Sequence, residues 1–341
     1  MSHSRCELVA WLRACQMAVL VASLGVPGFG VLRADQPALV QWGSNHVGQM
    51  LPEYMTGDEC LFCHRDIGPT WPENPHQATL RPADPGQPEI QSLSQLAQDM
   101  ASEVDFLLGD ERLVRYLKRS QAYGRLDLLS ARYVPEAPTK DDPGPHLIDS
   151  KEIDWNGQTF GDRCAGCHTT AVDSTRRTFS ATSLDCYACH GHVVEEHTTD
   201  TTQVLLSKVP QNALVVNSIC GSCHLRGGAS RNSKLPYPSS FVPGDNLFLD
   251  FQVDFSDAAI ARLPRMQQHI YVNALMVGSG WAEPTCIDCH SVHRNNSRSH
   301  TDLPSTKICL SCHVPETDNS QLTEAIQNYD KSTERNATCD Y

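Results

Sequence analysis

Cys186-Tyr187-Ala188-Cys189-His190-Gly191 is the stretch on which the reading of this chain turns. Two thiols stand three residues apart, and an imidazole follows the second directly. The same Cys-x-x-Cys-His spelling recurs as Cys60-Leu61-Phe62-Cys63-His64, Cys164-Ala165-Gly166-Cys167-His168 and Cys220-Gly221-Ser222-Cys223-His224. It recurs again as Cys286-Ile287-Asp288-Cys289-His290 and Cys309-Leu310-Ser311-Cys312-His313, making six in all. This is the attachment signature of a c-type haem: the thiols add to the two vinyl groups, and the His binds iron from the proximal side. A zinc ribbon or a redox dithiol also uses Cys-x-x-Cys, but neither requires the adjoining His. No Cys-x-x-Cys pair in the chain lacks it. The motifs use 12 of the 15 cysteines, so six covalent haems are the expected cofactors.

Residues 1–34 read as an export signal. Arg5 and Arg13 give a positive start, Ala14 to Val26 is an apolar run, and Pro27-Gly28-Phe29-Gly30 breaks it. The run is too short to span a bilayer. Cleavage after Gly30 and after Ala34 both remain open. Haem attachment follows export, so the expected place is a bacterial periplasm or beyond. No later segment is apolar enough for a membrane span. The net charge of −13 and pI of about 5.5 argue against nucleic acid. They favour redox partners with basic docking patches, including a membrane or multi-subunit redox complex.

Residues 35–341 are expected to form the multihaem domain, with a haem-poor insertion at about 80–160. Motifs two and three begin 22 residues apart (164 to 186), and five and six begin 23 apart (286 to 309), so the haems of each pair are expected to be in direct contact. Ser92 to Met100 and Glu111 to Ser120 carry apolar residues at helical spacing. Leu126 to Val134 suits a strand or a short helix, Pro135 to Pro145 a loop, and Ala258 to Leu275 a partly helical segment. Hydrophobic content of 40% and aromatic content of 7% suggest that the haems supply the core. The expected fold is mainly α with extensive loops, organised around six haems with almost no sheet.

Six irons need distal ligands. Outside the motifs and the signal stand His46, His76, His146, His192, His197, His269, His293 and His300. Full bis-His ligation is within reach, although any one of them is as readily a surface residue. His293 lies three residues beyond His290, too near to cap its own haem, and would reach a neighbour. His76 follows motif one, His146 leads into motif two, and Met276 rivals His269 ahead of motif five.

These surroundings resemble the soluble exported multihaem c-type cytochromes related to the tetrahaem cytochrome of hydroxylamine oxidation. The resemblance rests on Gly57-Asp58-Glu59-Cys60 with Trp71 and His76, Cys167-His168-Thr169-Thr170, Cys189-His190-Gly191 with His197, Cys223-His224-Leu225-Arg226, and Cys289-His290-Ser291-Val292-His293. It implies that His197 and His293 are distal ligands of neighbouring haems. Relatives often carry Ser-x-Met or Ser-x-His before motif five; Asn273-Ala274-Leu275-Met276 keeps the Met and lacks the Ser. Two functions follow. One is a non-catalytic carrier of electrons between respiratory partners. The other is an oxidoreductase of a small nitrogen or sulfur compound, with one open haem beside polar residues such as Tyr271, His269 and His300. The supply of distal His and the lack of a Cys-x-x-Cys-Lys motif favour the carrier, and no catalytic residue is assigned. A third reading is a subunit that polymerises or docks on a larger complex.

Overall fold

The structure is a computed structural model. It describes residues 43–110, 113–135, 145–149, 151–193, 213–263 and 285–293, with positions 197, 199, 267–268, 270–271 and 274. The export-signal segment, most of the expected loop after Pro135, His269, Met276, His300 and motif six lie outside the described residues. All described residues belong to one unit, Gln36–Tyr341.

The elements begin with α1 (Gly57–Cys63), then β1 (Leu80–Pro82), α2 (Pro88–Leu96), α3 (Gln98–Ser102), β2 (Phe106–Leu108), β3 (Val114–Arg119) and β4 (Leu126–Val134). Next come β5 (His146–Ile148), β6 (Trp155–Asn156), α4 (Thr159–Arg163), α5 (Ala165–His168), β7 (Thr169–Thr170) and β8 (Ala181–Thr182). The remaining named elements are α6 (Cys186–His190), α7 (Ala213–His224), β9 (Ala229–Ser230), β10 (Phe251–Gln252) and α8 (Asp257–Ile260). Short 3-10 turns occur at Leu247–Leu249 and Cys286–Asp288.

The expectation of almost no sheet is overturned. Strands β1 to β5 form an antiparallel sheet in sequence order, and β6 joins it against β4. Glu111 to Ser120, expected as a helix, contains β3 instead. Its register sets Leu117 against Leu128 across β4 and Tyr116 against Leu107 across β2. The misreading has a physical cause. Successive strand residues point to opposite faces, and here both faces are buried. Phe106, Leu108, Leu117, Leu126 and Leu128 share one cluster, while Leu107, Val114, Tyr116, Leu129, Ala131 and Tyr133 share the other. In β3 the buried Val114, Tyr116 and Leu117 fall on both faces while Arg115, Lys118 and Arg119 are not buried, so strict alternation is lost and chance helical spacing takes its place.

The two clusters explain what the sheet is for. The second is closed by Ile90 and Leu93 of α2 and Ala101 of α3, which confirms the helix expected at Ser92 to Met100, broken at Ala97. The first is closed by Phe160 of α4, by Ala165 of α5, which carries motif two, and by Phe179, with Cys164 packed against it. The sheet is thus the wall against which the first thiol of motif two is fixed. The chain therefore owns a core that does not consist of porphyrin. A separate apolar cluster of Leu225, Leu247, Phe248, Phe251, Val253, Tyr271 and Ala274 lies beyond the end of α7. Residues 257–260 form α8, which agrees in part with the helical expectation there.

Candidate haem sites

The described motifs sit on short helical segments: motifs one to three on or beside one or two turns of α-helix, motif four at the end of the longer α7, and motif five on a 3-10 turn. Residues i, i+3 and i+4 of a helix share a face, so both thiols and the proximal imidazole project together. Local capping chemistry starts these turns. Thr56 Oγ1 accepts from Asp58 N at 3.1 Å to open α1, and Asp185 Oδ1 accepts from Tyr187 N at 2.9 Å to open α6. Thr285 and Asp288 form a reciprocal capping box around motif five, with Thr285 Oγ1 donating to Asp288 Oδ2 at 2.9 Å. Gly191 ends α6 at φ +69°, a backbone state that suits a residue without Cβ.

Among the described residues, the motif thiols from Cys60 to Cys286 form no disulfide. Among the described residues, no three His, Cys, Asp or Glu side chains converge as a zinc site needs. What repeats is two thiols and one imidazole on one turn, the donor set of covalent haem. Burial, with the Arg226 charge, lowers His168 to about 4, and its Nδ1 is buried with no hydrogen-bond partner. Burial, with His293 and His64 nearby, lowers His190 to about 4. Both imidazoles are therefore neutral, the form that binds iron. Burial pushes the Cys164 thiol up to about 11 and that of Cys189 to about 12.

The motifs touch through their thiols. The Cys186 thiol beside Cys60 draws Cys60 down to about 7, so motif one adjoins motif three. Gly57 of α1 lies against Asp185 and Cys186 at the start of α6. Cys167 Sγ lies 3.9 Å from the Cys223 carbonyl and Cys223 Sγ 3.6 Å from the Gly166 carbonyl, joining motif two to motif four. Cys220 and Cys286 join motif four to motif five, and Cys286 Sγ lies 3.2 Å from Asn217 Oδ1. Cys189 of motif three packs with Cys220 and Cys286 around Val215, Val216 and Ile219 of α7. Motif four is thus the junction, adjoining motifs two, three and five. Between motifs two and three the chain forms the β7–β8 hairpin, which returns it to the same end, with Ser183 N donating to the His168 carbonyl at 3.1 Å.

The candidate distal ligands fall in different settings. The His76 ring lies 6.3 Å from that of His224, at an interplanar angle of 85°. The His293 ring lies 5.8 Å from that of His190, at 13°. His46 is held by Asp245: its Nδ1 is 2.8 Å from Asp245 Oδ1 and its backbone N–H donates to Oδ2 at 3.2 Å. A carboxylate behind Nδ1 leaves Nε2 to a metal, the usual support of a ligating His. His192 Nδ1 lies 2.9 Å from the Glu53 carbonyl. His146 sits on edge strand β5 opposite Val134, and His197 is half-buried. Sequence reasoning missed Asp245, Asn74 and Tyr237. None of the three carries a motif, and only the fold brings them to the sites.

Residues 280–318, which take in motifs five and six, match a family described as the doubled CXXCH motif. No curated protein matches the chain. An undecahaem cytochrome from the S-layer of Carboxydothermus ferrireducens is similar over 79% of this chain and 44% of its own length, at 18% identity and a TM-score of 0.41. The chain therefore spans less than half of that protein. The doubled motif and the repeated turns support covalently bound haem c and a cytochrome of the multihaem c type.

Proposed function

We propose that this chain is an exported hexahaem c-type cytochrome that carries electrons between respiratory redox partners. The observation that carries the reading is the packing of the motifs on one another: two against four through Cys223 Sγ and the Gly166 carbonyl, and three, four and five through Cys189, Cys220 and Cys286 around α7. Bound haem supplies the one-electron iron couple. The thiols would hold each porphyrin by its edge, and burial keeps the proximal imidazoles of His168 and His190 neutral for iron. Contact between the turns keeps the attached groups close, as stepwise tunnelling requires. The acidic surface orients basic partners, free or within a larger complex. Residues 1–34 act as the export signal, which places the protein in the periplasm or outside the cell. Among the described residues, no helix is long and apolar enough to cross a membrane. The likeness of the motif surroundings to the tetrahaem cytochrome of hydroxylamine oxidation belongs to this reading.

Intact mass and the pyridine haemochrome spectrum test it together with low-temperature EPR of the oxidised protein. The expected result is six covalent haems, all low-spin. Failure to attach haem sinks the proposal. A high-spin signal worth one haem that shifts on adding nitrite or hydroxylamine turns it into an oxidoreductase of a small nitrogen compound.

A further inference from the structure

We propose that His76 is the distal ligand of the haem held by His224 and that His293 is the distal ligand of the haem held by His190. We further propose that one buried side chain, Asn74, positions both. The inference rests on the haem reading above and goes beyond it by pairing ligands.

Metal–imidazole bonds of about 2 Å on each side of an iron put the two ring centres about 6 Å apart. The observed separations are 6.3 Å and 5.8 Å. Ordinary ring contacts also fall in this range, so distance alone does not decide. The composition of the pairs does: each joins a proximal motif His to a His outside any motif, from remote parts of the chain. His293 cannot cap its own haem, because His290 is only three residues away.

Asn74 is fully buried and stands between the two outer ligands. Its Oδ1 accepts from the His76 backbone N–H at 3.0 Å, and its Nδ2 donates to the Val292 carbonyl at 2.8 Å, one residue before His293. The His76 carbonyl in turn accepts from Leu184 N at 3.3 Å, just ahead of the α6 cap. One amide therefore ties the segment carrying one distal ligand to the segment carrying the other. The outer side chains that complete a metal site commonly work this way.

The ring planes give the two haems different signatures. Planes crossed at 85° leave the two π-type d orbitals of iron nearly equal in energy, and the low-spin spectrum is strongly anisotropic. Planes 13° apart split those orbitals and give an ordinary rhombic spectrum.

The test is EPR on the full-length, haem-loaded protein. His76→Ala is expected to remove one haem equivalent of the strongly anisotropic signal, with an equal gain of high-spin iron that added imidazole reverses. His293→Ala is expected to do the same to one rhombic equivalent. Asn74→Leu, which keeps the volume and loses both hydrogen bonds, is expected to shift these two signals and leave the others. Should His76→Ala fail to fold, His76→Met decides, since a thioether on that iron adds a methionine–iron charge-transfer band. Spectra unchanged in either His→Ala variant, no such band in His76→Met, or an Asn74→Leu change spread over all haems overturns the pairing. Haem content by mass is read on the same samples. A chain without haem refutes the cytochrome reading, whereas a fully loaded chain with unaltered spectra refutes only the ligand assignment.

Discussion

At the scale of single residues, the spacer positions of the motifs are where fold and haem chemistry compete. Gly166 sits inside motif two, and a Cβ there would lie 2.3 Å from the Tyr237 ring. Tyr237 is itself buried, and its hydroxyl donates to the Gly161 carbonyl, so the ring has little freedom to yield. In an open helix, Gly→Ala stabilises by roughly 0.5–1 kcal/mol, whereas forcing extra atoms into a packed site costs about 1–3 kcal/mol. The clash outweighs the propensity. Gly166→Ala is expected to lower the denaturation midpoint, and the loss should shrink in a Tyr237→Ala background. An equal loss in both backgrounds would show that the ring contact is not the cause. The sequence names Gly166 only as an unspecified spacer, and nothing near it points to a tyrosine 71 positions away (166 to 237).

Among the elements, the sheet is the part least readable in advance. Leu129 lies in the middle of β4, opposite Trp155, and is fully buried in the cluster closed by α2 and α3. Truncating such a side chain costs about 2–5 kcal/mol through lost transfer energy and the cavity left behind. Leu129→Ala is therefore expected to lose that much stability in denaturant titrations followed by far-UV circular dichroism. The haem absorption of the folded protein should not change. A loss below about 1 kcal/mol would mean that the porphyrins, not this cluster, carry the core. The helices were easier to anticipate. Helix α2 opens at Pro88 and buries Ile90 and Leu93 on one face, a one-sided pattern that survives in sequence. In β3 and β4 burial on two sides erases the corresponding pattern.

For the whole molecule, the excess of acidic groups sets how it meets others. A net charge of −13 attracts cations over a screening length of about 8–10 Å at ordinary salt. Bound propionates add to it. Reduction by a cationic small-molecule reagent is expected to slow as salt is raised, and reduction by an anionic reagent to quicken. Matching salt responses for the two reagents would show that the charge lies away from the sites of electron entry.

The sequence by itself determined the covalent chemistry, because attachment needs only what one helix turn contains: two thiols and an imidazole at i, i+3 and i+4. It also bounded the pool of distal ligands, because histidines can be counted. The tertiary structure alone decided that Cys223 faces Cys167, that His76 faces His224, and that Asn74 bridges toward His293. Those partners stand 56, 148 and 219 residues apart (167 to 223, 76 to 224, 74 to 293). Only the packing of α7, the sheet and the connecting segments brings them together. Local chemistry leaves a local spelling, whereas contacts between remote segments are set by burial summed over the whole chain, which no short stretch records.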